Sequence, residues 1–175
     1  MTKPRVELEI ACGDDHWGSI LIELEDEKCP ATVDNFLRYV EQGFFDGTIF
    51  HRVIPHFMIQ GGGYTAPDVP KTDGLFEPIH NEAASGIKNR RGTIAMARTA
   101  QPHSATSQFF INVADNDMLD HPGHDGWGYC AFGTVIEGME TVDRIKDVKT
   151  TCNPQMGEDS LPVDPPRIVS ARRVA

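Results

Sequence analysis

The sequence predicts one mainly-β domain in which an antiparallel sheet, closed or strongly curved, is capped by two helices. Three observations support this fold class. A length of 175 residues suits a single domain, and segments of alternating polarity outnumber segments of helical periodicity. The 16 glycines and 12 prolines indicate many turns and few long helices. Because the chain contains no repeat, low-complexity run or linker, we expect residues 1–175 to form one domain.

The first elements along the chain are a hairpin and a helix. Residues 6–10 alternate between apolar and charged side chains, and residues 20–24 resume the alternation after a turn rich in glycine and aspartate. This pattern predicts two antiparallel strands, each with one buried face. A helix is predicted to begin at Pro30 and to end at Gly43, because apolar residues recur between them at helical spacing.

The rest of the chain supplies further short strands and one more helix. The segment 48–63 is apolar and β-branched, is interrupted by Pro55 and ends in three glycines. The segment 64–92 has little periodicity and is predicted to be a long loop, which in a compact domain is usually functional. A second helix is predicted from about Met139 to Lys146. Further strands are predicted at residues 93–97, 108–113, 129–136 and 167–174.

The charge balance and the hydropathy of the chain argue against two classes of partner. Sixteen Lys and Arg residues against 26 Asp and Glu residues give a formal net charge of −10, and an acidic chain repels nucleic-acid phosphates. No apolar run reaches the roughly 18–20 residues of a membrane helix, and residues 1–7 lack the apolar core of a secretion signal. We therefore expect a cytoplasmic protein that binds neither nucleic acid nor membrane.

The positions of cysteine and histidine leave two alternatives open. The four cysteines are scattered without a Cys-x-x-Cys pair, which indicates reduced thiols; a redox-sensitive pair is the alternative. Residues 120–125 bring two aspartates and two histidines together, but their central Pro-Gly is typical of a solvated turn. A metal site at His121 and His124 is the alternative, and we expect no metal and no cofactor. The cysteines are Cys12, Cys29, Cys130 and Cys152.

Two windows of the sequence combine aromatic, amide and cationic side chains in strand-like surroundings. Arg52 lies in the apolar segment 50–62, and an isolated arginine there would ordinarily form a salt bridge at a sheet edge. Residues 96–99 and 107–112 again mix apolar and amide side chains. Together these windows describe a cleft for an uncharged, partly apolar, amide-containing ligand, which is the chemistry of a peptide. Motifs for a serine hydrolase, a phosphate-binding loop and a catalytic zinc are absent from the sequence.

Three motifs give the sequence a specific resemblance. FHRVIPHFMIQGG at 50–62, GTIAMAR at 92–98 and SQFFINV at 107–113 resemble, in this order and spacing, the cyclophilin family of peptidyl-prolyl cis-trans isomerases. The similarity extends from the first hairpin to the last strand, and residues 112–117 and 126–130 are similar to the bacterial cytoplasmic branch. The resemblance implies a closed eight-stranded antiparallel β-barrel capped by two α-helices. It also implies an enzyme that accelerates rotation about X-Pro bonds and assists protein folding.

The resemblance assigns roles to individual side chains. Arg52 matches the catalytic arginine of the family. Met118 and Tyr129 stand where the best-known eukaryotic members have a tryptophan that contacts cyclosporin and a pocket histidine, so weak cyclosporin binding is expected. Positions that match the proline pocket are Phe57, Met58, Phe110 and Leu119; positions that match the peptide groove are Gln60, Ala97, Arg98 and Gln108. With Met118 and Tyr129, these form the expected substrate-binding set.

The reaction implied by the resemblance needs no nucleophile, metal or general base, because rotation about an amide bond breaks no covalent bond. The expected partners are proline-containing peptides and unfolded or folding proteins, and a monomer is expected. A non-catalytic peptide-binding module on the same scaffold is the main rival, although such a module would not need Arg52. A metal-dependent or redox enzyme is the remaining alternative.

Overall fold

A computed structural model describes residues 2–174, which form twelve strands, two α-helices and one 3₁₀ turn. The helices are α1 (Pro30–Glu41) and α2 (Met139–Lys146), and the 3₁₀ turn is Asp117–Leu119. The strands are β1 (Arg5–Cys12), β2 (Asp15–Leu24), β3 (Phe50–Ile54), β4 (Met58–Gly61), β5 (Tyr64–Ala66), β6 (Val69–Pro70), β7 (Thr93–Met96), β8 (Phe109–Asn112), β9 (Ala131–Glu137), β10 (Thr150–Asn153), β11 (Glu158–Pro162) and β12 (Arg167–Val174).

Local sequence patterns account for the first elements, as predicted. In the β1–β2 hairpin, Val6 pairs with Ile22 and Leu8 with Ile20, and all four side chains are buried. The apolar alternation therefore places one face of the hairpin in the core. Helix α1 begins with proline at its first turn, as expected of a residue that needs no backbone partner there. It ends just before Gly43, whose φ of +68° suits a helix terminus.

The main sheet is antiparallel throughout, with the strand order β12-β1-β2-β9-β7-β8-β4-β3. The expectation of a closed barrel is wrong: the eight strands curl into an open half-barrel. The edge strands β3 and β12 share no ladder in residues 2–174. An isolated bridge between Ile49 and Arg167 and a hydrogen bond from the N–H of Gly47 to the carbonyl oxygen of Ile168 link the two edges. Pro165 and Pro166 precede β12 and lack the N–H groups needed to extend pairing toward β3.

The interior of the curled sheet is filled by aromatic side chains from α1, the turn that follows it and the strands. The ring of Phe109 on β8 lies edge-on to the rings of Phe36, Phe45 and Phe50, with centroid distances of 5.7, 5.4 and 6.2 Å. All four side chains are fully buried. Such edge-to-face packing fixes the position of β8 relative to the helix that caps it.

Two hairpins were not predicted from the sequence. The short strands β5 and β6 lie inside the segment expected to be a long loop, and the β10–β11 hairpin follows α2. Strand β10 has no buried residue and β11 buries only Ser160 and Pro162. The apolar alternation on which strand prediction depends is therefore too weak there.

Two cysteines that are far apart in the sequence lie together in the fold. The Sγ atoms of Cys29 and Cys130 are 3.6 Å apart in the core, whereas Cys152 is exposed and Cys12 partly exposed. Any redox-sensitive pair would therefore be Cys29 and Cys130. Within the described residues, no group of three or more His, Cys, Asp or Glu side chains is arranged to hold a metal ion. No helix between residues 2 and 174 is long and apolar enough to cross a membrane.

Candidate functional site

A cleft of about 830 Å³ opens on the face of the sheet opposite the main core. It is bounded by β3, β4 and β8 and by the turn of the β10–β11 hairpin. Ten of the eleven side chains predicted to form the site line this cleft: Arg52, Phe57, Met58, Gln60, Ala97, Arg98, Gln108, Phe110, Leu119 and Tyr129. Met118 does not line it, since its side chain is 54% exposed beside a separate shallow depression.

The pleat of adjacent strands builds the apolar part of the cleft. Successive residues of a strand point to opposite faces, so Phe109 faces the core while its neighbour Phe110 faces the cleft. Phe110 lies opposite Gln60 in the β4–β8 register, and its ring is edge-on to that of Tyr129 at 5.8 Å. Met58 packs into the same small apolar cluster, which Phe57 and Leu119 cover from the side. This cluster offers a pocket for a compact apolar side chain.

Arg52 projects from the edge strand β3 with 22% of its side chain exposed. Its Nη1 donates to Oε1 of Gln60 at 3.3 Å, and Nε2 of Gln60 donates to Oε1 of Gln108 at 3.0 Å. The two amides therefore hold one side of the guanidinium along the cleft. Arg52 also forms an ion pair at this sheet edge, as expected of an isolated arginine. Its surroundings therefore combine a salt bridge with a position in the cleft.

The partner of Arg52 in that ion pair is Glu158, which sequence reasoning missed. Nε of Arg52 donates to Oε1 of Glu158 at 2.7 Å, and Nη2 donates to Oε2 at 3.4 Å. The hydrogen bond from Arg52 lowers the pKa of Glu158 below its ordinary value. No local signal distinguishes Glu158 from the other acidic residues, because its hairpin lacks a clear apolar period.

Arg98 serves as a support for the wall of the cleft. Its Nη2 donates to Asp125 at 2.6 Å and to the carbonyl of Gly128 at 2.8 Å, and its guanidinium lies 4.4 Å from the centroid of the Tyr129 ring. Backbone N–H groups of Gly128 and Trp127, together with Arg98, hold the pKa of Asp125 well below its usual range. Only 3% of the Arg98 side chain is exposed, so its charge is already engaged.

The acidic and histidine-rich loop at 120–125 uses its carboxylates within the fold. Asp120 accepts hydrogen bonds from the backbone and side-chain nitrogens of Asn89 at 2.6 and 3.0 Å, and Asp125 binds Arg98. Nδ1 of His121 lies 3.0 Å from the carbonyl oxygen of Trp127. These contacts are those of a polar turn in which both carboxylates bind neighbouring parts of the chain.

His51, next to Arg52, is a titratable residue that the sequence did not single out. Its ring lies 4.2 Å from that of Tyr64, and its Nδ1 is buried with no hydrogen-bond partner among the described residues. Burial, assisted by the positive charge of Arg52, lowers the pKa of His51 to about 4 from 6.5. His51 is therefore neutral in the folded protein near pH 7.

The depressed pKa of His51 predicts a loss of stability in mild acid. Between pH 6.5 and about 4 the unfolded chain binds a proton at His51 that the folded protein does not, so the free energy of unfolding falls as pH decreases through this window. The loss amounts to up to about 3 kcal/mol, at about 1.36 kcal/mol per pKa unit. Urea unfolding of wild type and His51→Gln from about pH 7 to about pH 4 measures it.

As pH falls, the free energy of unfolding of the wild type should decrease relative to that of His51→Gln. His124→Gln, at an exposed loop position, is the matched control and should retain the wild-type pH dependence. Parallel pH profiles for wild type and His51→Gln would contradict the prediction.

Comparison with known proteins shows which family this sequence matches. The family model described as "Cyclophilin type peptidyl-prolyl cis-trans isomerase/CLD" matches residues 7–173. The chain is 54% identical over 157 residues to peptidyl-prolyl cis-trans isomerase cyp18 of Streptomyces antibioticus, covering 89% of this chain and 92% of that relative. It is 58% identical over 135 residues to peptidyl-prolyl cis-trans isomerase B of Escherichia coli (strain K12), covering 76% and 81%.

Proposed function

The chain belongs to the cyclophilin-type peptidyl-prolyl cis-trans isomerase family, and on this premise we propose that Arg52 accelerates rotation about X-Pro bonds by stabilising the twisted transition state. No covalent intermediate forms. The observation that carries the proposal is the placement of the Arg52 guanidinium in the same cleft as the apolar cluster around Phe110. The proposed substrates are proline-containing segments of peptides and of unfolded or folding proteins.

The chemistry of the reaction explains why an arginine suffices. Amide resonance raises the rotation barrier to about 18–20 kcal/mol. When the bond is twisted, resonance is lost and the prolyl nitrogen gains a lone pair that can accept a hydrogen bond. A guanidinium that donates to this nitrogen, or to the prolyl carbonyl, binds the twisted state better than either planar state. Arginine suits this role because it stays charged and presents its donors in a fixed plane.

The walls of the cleft supply the second requirement, which is to hold one side of the bond while the other rotates. We propose that Phe57, Met58, Phe110 and Leu119 enclose the proline ring. The amides of Gln60 and Gln108 lie beside Arg52 and provide partners for the peptide backbone. An apolar pocket also excludes water, which strengthens the interaction of the guanidinium with the twisted bond.

A direct assay separates this function from its rivals. Wild-type protein should accelerate cis-trans exchange of a proline peptide, measured by protease-coupled kinetics and by NMR exchange spectroscopy. A peptide-binding module would shift peptide resonances without raising the exchange rate, which would overturn the proposal. Activity that is unchanged by a chelator would exclude a metal-dependent mechanism. Assistance of protein folding, one domain over residues 1–175, a monomeric state and a cytoplasmic location stay predictions from the sequence.

Cyclosporin binding offers a test of the pocket assignment. Met118→Trp should tighten cyclosporin binding relative to the weak binding expected of the wild type, because a rigid aromatic ring beside Leu119 adds apolar contact area. Isothermal titration calorimetry of the two proteins measures the difference. Replacement of the exposed Val169 on β12, which does not line the cleft, by tryptophan serves as the control for added surface aromatic area. An equal affinity in wild type and Met118→Trp would contradict the alignment at this position.

A further inference from the structure

Glu158 contacts the guanidinium of Arg52 on the edge that Gln60 leaves open. Its two carboxylate oxygens accept hydrogen bonds from Nε at 2.7 Å and from Nη2 at 3.4 Å, so the contact is bidentate. Oγ of Ser160, two residues along β11, lies 3.2 Å from Oε1 of Glu158 and donates to it. Strand β11 packs against β3, the strand that carries Arg52. The carboxylate is therefore held on its own strand while it contacts the neighbouring one.

The donor count of the guanidinium shows what this contact does. Arginine has five N–H donors in one plane. Among the described residues, Glu158 takes one on Nε and one on Nη2, and Gln60 takes one on Nη1. One donor on each terminal nitrogen is left for a ligand. Because a bidentate carboxylate contact fixes the guanidinium plane as well as its position, the two free N–H groups of Arg52 point in a defined direction.

We propose that Glu158 is a positioning residue for the isomerase reaction: it orients Arg52 so that the two free donors face the substrate bond. The inference rests on the proposed function of Arg52 and adds a carboxylate from the β10–β11 hairpin to that site. The Arg52–Glu158 pair is partly open to solvent, with 22% and 30% of the side chains exposed. Such pairs contribute little to stability, so the effect of Glu158 lies in the geometry of Arg52.

Kinetics of three variants at position 158 test the role. Glu158→Ala should lower kcat about tenfold with KM within about twofold of wild type, because a misdirected donor weakens only the transition state. Glu158→Gln has the same shape and keeps one acceptor, and Glu158→Asp keeps the charge on a shorter side chain. Both should retain more activity than Glu158→Ala. A more active Glu158→Ala would mean that the pair withholds Arg52 from substrate, and would overturn the inference.

The matched control is another bidentate arginine–carboxylate ion pair, which lies away from the cleft. Arg91 donates to Asp143 of α2 from Nη1 at 2.9 Å and from Nη2 at 2.7 Å. Asp143→Ala removes a carboxylate from an arginine in the same way and should leave kcat and KM within about twofold of wild type. Each variant is compared with wild type by thermal unfolding, so that a change in kcat is not confused with a loss of folded protein.

A spectroscopic readout tests the contact without substrate. The ¹H–¹⁵N correlation of the Arg52 Nε–H group should lie downfield in the wild type, where it donates to Glu158, and should move upfield in Glu158→Ala but not in Asp143→Ala. Inactive wild-type protein would refute the proposed function itself. Active wild type with Glu158→Ala unchanged in kcat, or changed only in KM, would refute the positioning role alone.

Discussion

Replacing Arg52 by alanine is expected to lower the rate of prolyl isomerisation by about two to three orders of magnitude while leaving the protein folded. The magnitude follows from the loss of about 2.7–4 kcal/mol when a single preorganised donor is removed from a transition state. Arg52 lies on an edge strand and is partly exposed, so its removal leaves no buried cavity. Its ion pair with Glu158 contributes at most about 1 kcal/mol to stability.

The rates of wild type, Arg52→Ala and Arg52→Lys on one proline peptide measure this effect. Lysine keeps the positive charge but loses the planar set of donors, so Arg52→Lys should be intermediate. Arg91→Ala removes an arginine from an ion pair outside the cleft and should retain wild-type activity. Near-wild-type isomerisation by Arg52→Ala would refute the assignment of Arg52 as the catalytic residue.

Phe109→Ala is expected to have the largest effect on stability, lowering the free energy of unfolding by about 3–5 kcal/mol. Its side chain is fully buried and lies at the centre of three edge-on aromatic contacts. Truncation to alanine removes those contacts and leaves a cavity that the surrounding rings cannot fill without moving. The effect should appear as a lower urea midpoint with an unchanged denaturant dependence.

The neighbouring residue provides the matched control. Phe110 lies on the opposite face of the same strand, where the space left by truncation opens into the cleft. Phe110→Ala should therefore cost less stability than Phe109→Ala but should lower kcat/KM by about tenfold or more, since burial of a large apolar group contributes about 1.5–3 kcal/mol. Equal losses of stability and of activity in the two variants would show that the two faces of β8 are not divided in this way.

Local patterns predicted most of the strands and both helices, because the spacing of apolar residues in each element shows which face of that element is buried. The β1–β2 hairpin alternates apolar and polar side chains, and α2 has the predicted bounds Met139–Lys146. The β10–β11 hairpin escaped prediction because few of its side chains are buried and no period results. Closure of the sheet was predicted wrongly, since the resemblance implied it and local periodicity carries no information on how the edge strands meet.

The sequence by itself determined the family, both helices, the strands of the main sheet and ten of the side chains that line the cleft, because long motifs and period-two patterns are local properties of the chain. The tertiary structure alone decided which distant groups touch. Glu158 reaches Arg52 across 106 residues, and Cys130 lies beside Cys29 across 101 residues. Such contacts depend on how intervening loops close and which sheet edges approach, and these are set by the packing of the whole domain.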